Sequence, residues 1–382
     1  MSAGGDYLRQ MPESAGPLQQ APASAARLHI DLPLLALLLL LTGIGLLVLY
    51  SAAGQDTAAV QRQARYFLVA YAVMFAAAQF HPVRWFRWSP WVFLCGVSLL
   101  LAVTLFGVGA KGAQRWLQLG GFRFQPSEIM KLAVPMTVAW YLGQRVLPPR
   151  PRDIAVCLLV IAVPCALILR QPDLGTALLI AASGLFGIFM AGIGWRFIFG
   201  ALLAALLSAW PAWQFLLQDY QQQRILTLLN PEGDKLGAGW NIIQSKIAIG
   251  SGGWEGKGWT QGTQSQLDFL PESHTDFIIA VLAEEFGLRG VLLLLALYLL
   301  ILLRAFWIGL RAQSSYGRIL SGSIALTFFV YVFVNMGMVA GLLPVVGVPL
   351  PLISAGGTSI VTLMAGFGLL MAVGTEKRVV GQ

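Results

Sequence analysis

One carboxylate stands where a reaction could use it. Residues 268–277 read Asp-Phe-Leu-Pro-Glu-Ser-His-Thr-Asp-Phe, following the longest polar stretch of the chain and opening a long apolar run. Asp276 is thereby set at the mouth of a hydrophobic helix. An ionisable group there is costly in lipid and marks a functional site by default. The chemistry that suits it is general base catalysis at a lipid–water boundary. The plainer alternative is a helix cap, because Ser273-His274-Thr275-Asp276 has the spacing of a capping box. A helix dipole at this point keeps the carboxylate ionised but weakens it as a base, so an apolar wall must push the other way. Further along, Asp276, Ala280, Ala283, Gly287 and Gly290 share one helical face. That face is small enough to pack closely on a neighbour or to leave a groove for a lipid chain.

Other charged residues cluster near helix starts. Gln125-Pro126-Ser127-Glu128 and Gln171-Pro172-Asp173 each place proline at a first helical turn. Free N–H groups at such starts, ringed by Arg and Lys, make an anion site that a pyrophosphate would fit. Glu128 and Lys131 are spaced i, i+3, an intrahelical ion pair that would also turn Lys131 toward a ligand. Glu284 and Glu285 need partners, and Arg289, four residues beyond Glu285, is the obvious one. Residues 250–262, GSGGWEGKGWTQG, read as a flexible loop. Lys257 is followed by Gly258 rather than Ser or Thr, so this is no nucleotide-binding loop. Residues 240–249, WNIIQSKIAI, fit an interfacial helix. There is no Asp-x-Asp pair to anchor a metal-bound nucleotide sugar, so an activated donor must already be in the membrane.

These residues are carried by a membrane protein. Of 382 residues, 57% are hydrophobic and 11% charged, against about 25% charged in soluble domains. Cys95, Cys157 and Cys165 lie in apolar runs without metal-ligand spacing, and three scattered histidines make a zinc site untenable. Ten apolar runs approach bilayer length, near 31–52, 65–80, 90–108, 125–145, 153–170, 175–193, 196–216, 275–303, 319–342 and 356–375. With the N-terminus inside, thirteen basic and five acidic residues fall on the cytoplasmic side and account for the whole formal net charge of +8. That charge sets topology and implies no nucleic-acid partner. The expected fold is an all-α polytopic membrane protein of about ten transmembrane helices. Residues 1–30 form a disordered cytoplasmic tail, 31–375 the transmembrane domain, 217–274 a large extracytoplasmic loop between helices 7 and 8, and 376–382 a cytoplasmic C-terminus.

Several motifs together resemble the SEDS family (shape, elongation, division and sporulation). They are Lys111-Gly112-Ala113-Gln114-Arg115-Trp116, Gln125-Pro126-Ser127-Glu128 through Lys131, and Gln171-Pro172-Asp173-Leu174-Gly175-Thr176. Gly239-Trp240 through Gln244-Ser245, Phe269-Leu270-Pro271-Glu272 through Thr275-Asp276-Phe277, and Asn335-Met336-Gly337-Met338 continue the match. Leu343-Pro344-Val345-Val346-Gly347-Val348-Pro349-Leu350-Pro351 resembles the rod-shape-determining members rather than the division members. Ser354-Ala355-Gly356-Gly357 departs from the family's frequent Ser-Tyr-Gly-Gly, which puts in doubt any aromatic role at that place.

The resemblance implies a peptidoglycan glycosyltransferase of the bacterial cytoplasmic (inner) membrane that polymerises lipid II, with undecaprenyl pyrophosphate as leaving group. It implies both termini in the cytoplasm, an extracytoplasmic site and a class B penicillin-binding protein as partner. Asp276 matches the family's essential aspartate, the proposed base for the acceptor 4-hydroxyl. Arg115, Lys131, Arg224 and Lys246 become candidates to hold the pyrophosphate, and Trp116 to stack on sugar or position its loop. Glu128 and Asp173, in the matching motifs, complete the substrate-binding set. A divalent cation (Mg or Mn) is compatible with the reaction, although no ligand set is legible. The rival class is a transporter such as a lipid II flippase. It would need a continuous polar path, whereas charge here concentrates on the outer half.

Overall fold

The computed structural model describes residues 29–110, 113–119, 122–234, 237–267, 269–270 and 272–375. The two terminal segments expected to be cytoplasmic lie outside this range, apart from residues 29 and 30. A helix overlies each of the ten apolar runs. They are α1 (Leu32–Ala52), α2 (Thr57–Gln79), α3 (Pro82–Phe106), α4 (Pro126–Gly143), α5 (Pro151–Leu169), α6 (Leu174–Met190), α7 (Trp195–Pro211), α11 (Ile278–Arg311), α12 (Ser315–Val339) and α13 (Thr358–Gly374). Six of these (α1, α3, α5, α7, α11 and α12) are long and apolar enough to cross a membrane, and α6 and α13 are shorter apolar helices.

Local chemistry sets the boundaries. Asp56 caps α2, its Oδ1 accepting from Ala58 N at 2.8 Å. That cap starts the helix well before the apolar run and carries Arg62, Gln63 and Arg65 on its first turns. Asp31 caps α1, accepting from Leu34 N at 3.0 Å. The same carboxylate holds Arg304 of α11 in a two-pronged pair at 2.7 and 3.0 Å, which ties the first helix to the eighth of the ten.

α12 is the hub. It packs against α4, α6, α11 and α13, and small residues let the backbones approach. Ser323 Oγ donates to Ser183 O of α6 at 2.5 Å, and Ser321 touches Gly309 of α11. Association inside lipid rests on such close packing and on interhelical hydrogen bonds rather than on hydrophobic drive. α2 lies along α13, α3 along α4, and α1 along α11. α7 is the exception, with none of its residues buried.

Two features depart from the sequence reading. The α3–α4 connection is an antiparallel sheet of three short strands, β1 (Val108–Ala110), β2 (Ala113–Leu119) and β3 (Phe122–Phe124). Val108 pairs with Trp116, and Leu117 with Phe124. A chain that is otherwise mostly helical thus carries a small three-stranded sheet. The large loop is also built, not slack. It holds α8 (Asp219–Leu229), α9 (Ala238–Gly252) and a helical turn, α10 (Thr263–Gln266). The α9 segment is helical as expected, but Ile242, Gln244, Ser245 and Ala248 are buried because α9 packs on α11 and α12.

The glycine-rich loop, expected to be flexible, is clasped to α11. Gly287 takes φ +63 and ψ −165 and breaks that helix. The break frees backbone groups, and buried amides and carbonyls must find partners. Residues 253–258 supply them. Leu288 N donates to Gly253 O at 2.9 Å, and Arg289 N to Trp254 O at 3.3 Å. In the other direction Lys257 N donates to Glu284 O and Gly258 N to Glu285 O, both at 3.0 Å. A Cβ at Gly287 would collide with Gly256 N and with Trp254 O. The small face of α11 therefore serves close packing.

Buried charge fixes the same junction. Glu284 has no exposed surface. It accepts from Lys257 Nζ at 2.7 Å, Thr263 Oγ1 at 3.1 Å and Gln264 N at 3.0 Å. Glu285 accepts from Ser51 of α1. The expected Glu285–Arg289 pair is not formed; Arg289 instead meets exposed Glu255 at 3.0 Å. The break at Gly287 turns Arg289 away from Glu285, which i, i+4 spacing on a continuous helix would have brought together.

Candidate active site

Phe277, not Asp276, stands at the cap position of α11. Residues 272–277 form consecutive turns, and α11 begins at Ile278 with no side-chain cap. The capping-box geometry fails because Ser273 Oγ turns away to donate to Ala52 O at 3.1 Å. Thr275 Oγ1 donates to Glu272 Oε2 at 2.7 Å. Phe277 and Ile278 are buried and anchor the end of the turn. Asn335 of α12 does the rest, its Nδ2 donating to Asp276 O and to Val348 O, each at 2.7 Å. One buried amide thus pins the backbone of Asp276 against the 343–351 loop.

That loop closes over the carboxylate. Gly347 has φ +74, and a Cβ built there would sit 3.5 Å from Asp276 Oδ2. Val346 O lies only 2.9 Å from the place a Cβ would occupy at Gly175, in the first turn of α6. The start of α6 is therefore in contact with the loop that faces Asp276. Asp173, not Pro172, marks this start, and its Oδ1 accepts from Thr176 N at 3.3 Å. The proline lies one residue outside the helix.

The starts of α4 and α6 and the later turns of α12 bring the other charges together. Lys131 Nζ donates to Glu128 at 2.6 Å, with both side chains buried, and lies 5.3 Å from the centre of the Tyr331 ring. Tyr331 is one turn before Asn335. Arg115, from β2, reaches over α6. It donates to Gln171 O at 3.3 Å and to Pro172 O, and its guanidinium is 3.6 Å from Asp173 Oδ2. Gln125 Nε2 donates to the same carboxylate at 3.3 Å. Trp116 follows Arg115 on the strand and is half-buried. Buried charges persist only when paired and hydrogen-bonded, and here Lys131 is matched by Glu128 and Arg115 by Asp173.

The two remaining sequence candidates stand apart. Lys246, on α9, lies over Gly341 just past the end of α12, where an ammonium complements the free carbonyl end of a helix. Arg224, on α8, stacks on Tyr220 at 5.8 Å. Among the described residues no group of three or more His, Cys, Asp or Glu side chains could hold a metal ion.

Sequence reasoning missed a cavity on the other side of the same turn. It has a volume of about 600 Å³ and is lined by the end of α1 and the start of α2, with Asp56, by Leu270, Ser273 and His274, and by residues 355–357 before α13. Arg62, Gln63 and Tyr66 project from α2. The signal was present: Gln61, Arg62, Gln63 and Arg65 make the first turns of α2 too polar for lipid.

The model for cell cycle proteins, FTSW_RODA_SPOVE, matches residues 32–379. The chain belongs to this family. It is 50% identical over 356 residues to peptidoglycan glycosyltransferase MrdB of Escherichia coli (strain K12), covering 93% of this chain and 96% of the relative. A probable peptidoglycan glycosyltransferase FtsW of Geobacter sp. (strain M18) is 37% identical, covering 91% and 97%. Among solved structures, one described as showing coordination of polymerization and crosslinking by a peptidoglycan synthase complex superposes with a TM-score of 0.80. It is 32% identical and covers 90% of this chain and 97% of that one. The rod shape determining protein RodA of Thermus thermophilus gives a TM-score of 0.69 at 28% identity, covering 91% and 97%. The identities favour the rod-shape branch, as the PVVGVPLPL motif led one to expect.

Proposed function

We propose that this chain is a peptidoglycan glycosyltransferase that polymerises lipid II on the outer face of the cytoplasmic membrane. Ten spanning helices, cytoplasmic termini and an extracytoplasmic loop at 217–274 go with that reading. The observation that carries it is the setting of Asp276. Its backbone is pinned by Asn335 and its carboxylate faces a glycine, beside a cluster whose other charges are paired.

Asp276 takes the proton of the acceptor 4-hydroxyl. The oxygen attacks the donor's anomeric carbon, the bond to the pyrophosphate oxygen breaks, and undecaprenyl pyrophosphate departs. A single displacement inverts the α-linkage to β. The paired cluster of Glu128, Lys131, Arg115 and Asp173 suits a hydroxyl-rich sugar, because paired charges donate and accept hydrogen bonds without adding net charge. Trp116, beside Arg115, offers a ring for stacking. Lys131 and Arg115 could serve a pyrophosphate only by exchanging a carboxylate for it. A class B penicillin-binding protein is the proposed partner, supported by the 32%-identical synthase-complex structure.

The test is reconstitution of the chain and such a partner with labelled lipid II. Glycan polymer on a gel is the expected outcome. Lipid II crossing the bilayer without polymer would favour the transporter reading instead.

A further inference from the structure

The first turns of α3 carry a charged and aromatic face that the reaction does not use. The opposite side of the helix is fixed by packing. Ser89 Oγ lies 3.1 Å from Tyr316 Oη of α12, Thr137 Oγ1 of α4 donates to Ser89 O at 3.2 Å, and Gly96 lies against Met130. Leu100 and Val103 are buried on that same side. Arg84, Arg87, Trp88 and Trp91, spaced i, i+3, i+4 and i+7, are thereby turned outward together. All four are exposed, Trp91 to 70%. At 1.5 Å per residue they make a strip about 10 Å long, and the exposed side continues in Leu94, Leu101 and Leu105. The strip is braced from behind. Trp88 packs edge-on against Phe80 at 5.3 Å and Trp85 at 5.6 Å, and Trp85 Nε1 donates to Ala77 O at 3.1 Å.

The charge on this strip is uncompensated. No acidic residue occurs between Asp56 and Glu128, and neither Arg84 nor Arg87 pairs with a carboxylate among the described residues. Two other arginines at this end of the bundle, Arg304 and Arg145, are answered by Asp31 and Asp153. Two guanidiniums, then two indoles, then an apolar strip follow the order of phosphate, glycerol and acyl chain in a phospholipid. We propose that this face of α3 binds one anionic phospholipid, with its phosphate on Arg84 and Arg87, its glycerol against Trp88 and Trp91 and a chain along Leu94 and Leu101. A guanidinium is suited to two-pronged binding of phosphate. The indole N–H groups of Trp88 and Trp91 have no acceptor among the described residues and can donate to the ester oxygens. A partner helix would have to set acidic groups against both arginines at the depth of the headgroups, where lipid phosphate already stands. The face lies at the far end of α3 from the sheet that carries Arg115, so the proposal does not depend on the polymerase reading.

The experiment is native mass spectrometry of the purified full chain, titrated with phosphatidylglycerol and, separately, with phosphatidylcholine of the same acyl chains. Phosphatidylglycerol should bind more tightly. Each arginine beside an anionic lipid contributes about fivefold in affinity. Joint Arg84→Gln and Arg87→Gln should therefore weaken the phosphatidylglycerol complex about thirtyfold and leave phosphatidylcholine nearly unchanged. Joint Arg150→Gln and Arg152→Gln removes the same charge from exposed positions at the start of α5 and should leave the first phosphatidylglycerol bound as in wild type. Trp91→Ala keeps every charge and should still weaken phosphatidylglycerol, which separates a docked lipid from a diffuse charge effect. It also decides the matter should the double arginine variant fail to fold. Equal affinity of the wild type for the two lipids would show a surface wetted by any lipid and overturn the proposal. Equal losses in the two double arginine variants would overturn it too, as would wild-type affinity in either the Arg84/Arg87 variant or Trp91→Ala.

Discussion

At the scale of single residues the site is governed by what surrounds one carboxylate. Asp276 is oriented through its backbone by Asn335, and its side chain is given room by Gly347. Gly347→Val would place a branched side chain against the carboxylate and force an unfavourable positive φ. We expect kcat to fall about a hundredfold or more through lost alignment, with the protein still binding undecaprenyl diphosphate. Unchanged turnover of this variant would mean that Asp276 is not confined by the loop. Asp276, Glu128, Lys131, Arg115 and Asp173 were legible as candidates because charge is rare in this chain and each stands at a helix start or in a short motif. The cavity lined by Arg62 was not, because Arg62 precedes an apolar run and the other walls, His274 and Gly357 among them, lie over two hundred residues away.

At the scale of elements, positions of helices were readable and their breaks were not. Ten apolar runs became ten helices, since the length of an apolar run is a local property. The hairpin between α3 and α4 and the break in α11 depend on remote partners. The glycine loop is hydrogen-bonded to α11 at its break, and Gly287 alone could not announce it. This clasp gives Lys257, expected to lie in a flexible loop, a fixed partner. Glu284, fully buried, depends on it. Lys257→Met should leave that carboxylate uncompensated, at a cost of about 3–5 kcal/mol. Joint replacement with Glu284→Leu should restore much of the loss. A thermal-unfolding double-mutant cycle gives the answer, and strictly additive losses would show that the pair does not couple. Hydrogen exchange should also find the amides of Lys257, Gly258 and Leu288 slow without any partner, because each is committed to the ladder.

At the scale of the whole molecule, the bundle presents two polar compartments at one end, joined through the turn at 272–277, and α12 connects them to the core. The charge asymmetry is the ground for proposing that this end faces outside. In a background lacking Cys95, Cys157 and Cys165, a cysteine at exposed Gln261 should react with an impermeant thiol reagent on intact spheroplasts. One at exposed Gln313 should react only after lysis. The reverse pattern would put the site in the cytoplasm and remove lipid II polymerisation from consideration. Most direct is the single substitution Asp276→Asn, made in the chain reconstituted with the proposed penicillin-binding partner and labelled lipid II. Loss of a general base costs about 10²–10⁴ in rate. A loss of at least that size is expected, with folding and partner binding retained; polymer formed at close to the wild-type rate would contradict a role for Asp276 as the base.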